Sequence, residues 1–216
     1  MPYISAEERP AIDKSVEALA DEVSGALSRE ENKTTEISVH YREAFVSVGR
    51  ALLQLERGEK TKEPVHARNL ALVVFGEAGE APGERGVWLG RLNYALTRLI
   101  QVVPEKMVEE GVWKEEFRYW VYAMTVGALA RSAMEIHALE GDGWPADGLV
   151  GVLVDVKDEY KRRVNSAYEA FQMKKAGECY DTRYRTELSE VRDSAGRVVG
   201  YSEVMKDFGN KARHAG

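Results

Sequence analysis

One cysteine, Cys179, stands in a chain of 216 residues. It can close no intrachain disulfide, and no cluster of thiolate metal ligands can be built within one chain. Such sparing use of cysteine fits a reducing compartment, so a cytoplasmic setting is expected. Long apolar runs are also missing. The most continuous one, YWVYAMTVGALA at 119–130, falls short of the about 20 residues that a bilayer-spanning helix needs. The opening MPYISAEERPAIDKS lacks the charged-then-apolar order of a secretory leader. Basic excess is absent too: 30 Lys and Arg against 36 Asp and Glu leave a net charge of -6. Nucleic acid is therefore not an expected partner, since phosphate binding needs a basic surface. No glycine-rich stretch ends in Lys-Ser or Lys-Thr, which removes a phosphate-binding P-loop. No Ser-His-Asp or Cys-His signature is present, and Cys179 sits between Glu178 and Tyr180 with no basic neighbour to activate it. What remains is 44% hydrophobic, 9% aromatic and 31% charged, the composition of a folded globular chain.

The hydrophobic spacing is helical over most of the length. Ser5 and Glu8 have capping-box spacing, and Ile12, Val16, Leu19 and Val23 then recur at threes and fours. Tyr41, Phe45, Val48, Leu52 and Leu55 mark a second helix, stopped by Gly58. HARNLALVVFG reads as a third. GEAGEAPGERG, from Gly76 to Gly86, is a loop by its glycine and proline content. Leu89, Leu92, Leu96 and Leu99 define a fourth helix, which Pro104 is expected to end or restart. The segment around 119–130 is apolar on most sides and is expected at the centre of the core. Leu149, Leu153, Val156, Tyr160, Val164, Ala167 and Phe171 line one face of the last helix. Beyond it, ELSEVRDSAGRVVGYSEV has the alternation of a β-hairpin around a turn. The expected fold is all-α, a bundle of five to seven helices with a small C-terminal β-hairpin, divided into a helical domain at 1–180 and a hairpin and tail at 181–216.

Three stretches carry a resemblance: MPYISAEERPAID at the start, GRLNYALTRLI in the middle, and GVLVDVKDEYKRRVNSAYEAFQMKKAGECYD from Gly151 to Asp181. In that order they resemble a short, all-helical family of prokaryotes and their phages, a domain of unknown function. Its marks are a Met-Pro-Tyr-Ile opening, a Leu-Asn-Tyr-Ala helix and a closing Glu-x-Tyr-Arg-Arg, Tyr-Glu-x-x-Lys pattern. The closing pattern falls on Glu159, Tyr160, Arg162, Arg163, Tyr168, Glu169 and Asp181. Arg91 replaces the family's usual Glu, Lys161 is inserted before the paired arginines, and AGECYD replaces an Asn-Gly-Asp ending. The resemblance covers about half the chain, with 28–85 reading as an insertion and the hairpin as an addition. It implies a helical fold and supplies no mechanism.

Two site readings follow. In the first, Asn93, Tyr94, Tyr160 and Arg163 lie on facing helices and form one polar cluster, a buried hydrogen-bond network or a ligand shelf. The same helix carries Asp158 with Arg162 and Glu159 with Arg163 at i, i+4, acid first, the favourable order. In the second, Glu77 and Glu80 with Asp155 and Asp158 act as paired acidic motifs, similar to those of all-helical nucleotide pyrophosphohydrolases of the MazG type. Two carboxylates one turn apart on each of two helices can hold Mg²⁺ against a triphosphate, but the glycines around Glu77 and Glu80 oppose a continuous helix there. His40, His66, His137 and His214 are far apart in sequence; His137 with Glu140 and Asp142 could touch a metal, though a helix-end histidine near a loop is more often structural. The favoured reading is a non-enzymatic interaction or assembly protein without a cofactor. Its expected partner is a second copy of the chain or another protein, not a membrane. Trp88, Trp113, Trp120 and Trp144, near element ends, motivate the homo-oligomer. The hydrolase with Mg²⁺ is the alternative.

Overall fold

The computed structural model describes residues 4–31, 33–76, 87–113, 118–140, 146–165, 186–192 and 198–205. The chain divides into two compact units, 1–166 and 167–216. Among the described residues the first unit holds six α-helices: α1 (Arg9–Leu27), α2 (Lys33–Glu56), α3 (Val65–Phe75), α4 (Val87–Glu109), α5 (Arg118–Glu140) and α6 (Ala146–Tyr160). A π-helical turn, Lys161–Asn165, extends α6. In the second unit the strands Thr186–Arg192 (β1) and Val198–Met205 (β2) pair antiparallel, with a register irregularity at Val191/Arg192.

The spacing of apolar residues decides which face each helix buries. Ile12, Val16, Leu19, Val23 and Leu27 of α1 are all buried, as are Tyr41, Phe45, Val48 and Leu52 of α2. The Ser5–Glu8 contact forms, with the Ser5 amide donating to Glu8 Oε2 at 3.0 Å and the Ser5 hydroxyl at 2.9 Å. It closes a turn ahead of α1 rather than capping its first residue, for the helix begins at Arg9. Gly58, at φ +70°, follows α2, and Gly76, at φ +87°, caps α3; both are left-handed conformations that glycine adopts without Cβ strain.

α2 packs along α5, α5 against α6, and α1 against α4, while α4 also meets α6. Helices α2 and α3 lie within the 28–85 segment yet supply Tyr41, Phe45, Leu52, Leu70 and Val74 to the same core as α1 and α4. Gly49 permits the close approach of α2 and α5: a Cβ there would lie 2.6 Å from Ile136 Cδ1. Ion pairs join the same layers, Arg50 to Glu135 across α2 and α5 at 2.9 Å, and Lys106 to Glu17 and Asp21 across α4 and α1 at 2.9 and 2.8 Å.

Two local expectations are corrected. Pro104 does not end α4, which runs through it to Glu109. A proline forfeits one intrahelical bond, and here the buried Val102, Val103 and Met107 hold the flanking turns to the core. The segment 119–130 is not enclosed on all sides. Val121, Tyr122, Thr125, Ala128 and Leu129 are buried, but Ala123 and Ala130 are exposed. Its outer positions are small, so an apolar sequence made a one-sided helix look central.

Candidate functional site

α4 and α6 meet with polar residues between them. On α4, Leu92, Leu96, Leu99 and Val103 face the core. Neighbouring helix positions are about 100° apart, so Asn93 and Tyr94 leave the helix toward different partners. Tyr94 turns to α1: its hydroxyl donates to Asp13 Oδ1 at 2.9 Å, and the Arg9 guanidinium lies 5.8 Å from its ring centre. Arg98 approaches the same Asp13 at 3.6 Å. Burial, with the Asp13 hydrogen bond second, raises the Tyr94 pKa.

Asn93 turns to α6. It is 4% exposed, and it lines an open cleft of about 310 Å³ together with Asp155, Asp158, Glu159 and Arg162. Its side chain makes no hydrogen bond among the described residues. Its amide is not among the side-chain groups sealed from solvent without a partner, so it opens onto the cleft, where water or a ligand can pair with it.

α6 presents the acids because its other face is apolar: Val152, Leu153 and Val156 are buried, which leaves Asp155 and Asp158 exposed. At the helix end Arg162 grips Glu159 with both edges, Nε to Oε2 and Nη2 to Oε1, each at 2.8 Å. Arg163 Nε donates to the same carboxylate. Arg162 first and Arg163 second hold the Glu159 carboxyl at about 2, against partial burial. The expected Asp158–Arg162 pair does not form; Asp158 instead lies 3.3 Å from the Lys157 ammonium. The change from α to π winding at Lys161 alters the azimuth of the two arginines and turns both onto Glu159. Asp155 has no ion-pair partner among the described residues.

Tyr160 points elsewhere. Its ring lies 5.3 Å from that of Tyr122 on α5, at 30°. Burial pushes its pKa up to about 12, and the nearby Thr125 hydroxyl pulls the other way. Thr125 itself donates to the Val121 carbonyl at 2.8 Å. Tyr160 also adds to the rise of the fully buried Tyr41, whose pKa burial drives up and whose hydroxyl has no hydrogen-bond partner among the described residues.

The four residues expected in one cluster thus fall at three places: Tyr94 at α1, Tyr160 at α5, and Asn93 beside the Glu159 carboxylate that Arg163 grips. Helix azimuth is the reason, since a shared stripe does not give a shared partner. Of the acidic set, Asp155 and Asp158 lie together in the cleft, while Glu77 and Glu80 fall outside the described residues. His40 sits between Glu30 and Glu43, at 3.5 and 4.0 Å. Among the described residues no three His, Cys, Asp or Glu side chains are placed to hold a metal ion. Spacing along one helix brought out Asp155 and Asp158 but could not name Asp13 as the partner of Tyr94, because cross-helix pairing leaves no mark in a single sequence.

No curated protein and no solved structure matches the chain. A family model does, over residues 1–179, a span that takes in α1 to α6, the 28–85 segment and all the cleft residues. The chain therefore belongs to the family described as Domain of unknown function (DUF6899).

Proposed function

We propose that this is a non-enzymatic binding protein whose α4–α6 cleft receives a small polar ligand or the polar side chain of a partner. The observation that carries the reading is Asn93, buried, without a hydrogen-bond partner among the described residues, and set in the wall of an open cleft. The amide faces the cleft and not a sealed core, so a bound group can pair with it in place of water. Unfolding temperatures measured across a panel of small polar compounds, on wild type and Asn93→Leu, test it. A true occupant stabilises wild type and not the variant; a panel that moves both equally, or neither, defeats the reading.

Asp155 and Asp158 in the same cleft favour one second reading, a Mg²⁺-dependent nucleotide pyrophosphohydrolase that would also use Glu77 and Glu80. Nucleoside triphosphate hydrolysis with Mg²⁺, abolished in Asp155→Asn and in Asp158→Asn, would establish it. Self-association is part of the proposal as well. Its support is the exposed apolar surface of α5, where Met134 is 65% and Leu139 47% exposed. The tryptophans lend less, because Trp88 and Trp113 are buried within one chain, while the Trp120 side chain and Trp144 lie outside the described residues. No helix among the described residues is long and apolar enough to cross a membrane, and a cytoplasmic site of action belongs to the same proposal.

A further inference from the structure

The charges around the cleft are not evenly compensated. Glu159 is met by Arg162 and Arg163, and Asp158 by Lys157. Asp155 is left as an exposed carboxylate without an ion-pair partner among the described residues. Beside it in the cleft stands Asn93, whose amide offers one acceptor and two donors and uses none of them on a described residue. An anionic ligand would meet Asp155 and would have to pull Arg162 out of its two-edged grip on Glu159. A divalent cation wants several oxygen ligands in fixed geometry, and no such grouping exists among the described residues. A compact organic cation needs only one carboxylate and one amide.

We propose, on the reading that the cleft is a ligand site, that it binds a small primary ammonium compound carrying a hydroxyl or carbonyl oxygen a few bonds from the nitrogen. Asp155 supplies the counter-charge, Asn93 Oδ1 accepts from the ammonium, and Asn93 Nδ2 donates to the neighbouring oxygen. The charge-assisted bond to the carboxylate is the stronger contact. The amide decides between a bare amine and one with an adjacent oxygen, because an amine alone leaves the Nδ2 donors unpaired. The volume, about 310 Å³, lies at the small end of ligand cavities and suits a compact molecule rather than a nucleotide.

The test is a titration of the full chain with ethanolamine and glycinamide, set against ethylene glycol, acetamide, inorganic phosphate and magnesium chloride at matched ionic strength. At about tenfold over Kd, either amine raises the wild-type unfolding temperature by about 3–5 °C, and Asp155→Asn abolishes the shift. Asp155 is exposed, so the variant folds. The Asn93 side-chain amide resonances of ¹⁵N-labelled wild type give a readout that needs no variant, and they move on saturation with ethanolamine. Equal stabilisation by acetamide or ethylene glycol, or stabilisation by phosphate or Mg²⁺ in place of the amines, overturns the ammonium assignment and leaves the cleft a ligand site. Stabilisation by the amines that survives in Asp155→Asn with unmoved Asn93 resonances also overturns it. Silence from every probe overturns it too. The cleft reading then falls with it only if the broader panel finds no Asn93-dependent ligand either.

Discussion

Asn93 and Tyr41 are both buried polar side chains without hydrogen bonds among the described residues, yet their surroundings give them different meanings. The Tyr41 hydroxyl is fully enclosed, stacked beside Phe45 with ring centres 5.4 Å apart. No ligand can reach it, so it is a cost without a return. Tyr41→Phe removes the unpaired hydroxyl at constant shape, and replacing an unmade hydrogen bond in this way is neutral or stabilising. An equilibrium denaturation curve with an unchanged or higher midpoint is expected; a clear drop would reveal a partner for the hydroxyl. Glu159 illustrates charge at the same scale. Its folded pKa, about 2, lies below the ordinary 4.5, so its contribution to stability is complete above 4.5 and is lost as pH falls toward 2. Its arginine partners are exposed, so solvent keeps the effect modest. Glu159→Gln should flatten the stability profile across that acid window and leave the slope near neutrality unchanged. An identical acid slope in the two proteins would remove Glu159 from the account.

At the scale of the element, the contact of α2 with α5 depends on a missing side chain. Gly49→Ala should gain about 1 kcal/mol of helix propensity and lose about 1–3 kcal/mol to overpacking, because the new Cβ meets Ile136 Cδ1 at 2.6 Å. Ile136 is buried in the core and cannot swing aside freely, so the net expectation is a lower unfolding temperature. Ile136→Val removes that methyl and leaves Cγ1 at 3.4 Å, so the double variant should recover to wild type or above. Failure of the second change to rescue the first would show that the helices are not in this contact. Elements of this kind were legible in the sequence. The threes and fours of Ile12, Val16, Leu19 and Val23, or of Tyr41, Phe45, Val48 and Leu52, state which face is buried because water is excluded from that face alone. The passage of α4 through Pro104 was not legible, since tertiary packing outweighed a local cost. The π-helical turn at Lys161 was not legible either, and with it went the pairing of Arg162. The candidate site was half visible for the same reason: Asn93, Asp155 and Asp158 stood out as polar groups beside apolar stripes, but their meeting depends on how α4 and α6 are placed against each other.

At the scale of the whole molecule, Trp88 and Trp113 are buried in the core of the described residues. Self-association would use surface, and the exposed Met134 of α5 is its expected anchor. Light scattering at micromolar concentration should give a mass above 24.2 kDa, and Met134→Lys should return it to that value. A monomeric mass for wild type would remove assembly from the proposed function.

The central claim is that the Asn93 amide is held for a ligand and not for the fold. Its most direct test is the unfolding temperature of Asn93→Leu without any added compound. Leucine has nearly the shape of asparagine and no polar atoms to satisfy, so stability equal to wild type or higher is expected, the stability–function trade-off of a binding site. A clear fall would mean that the amide already has a structural partner, and the claim would be wrong.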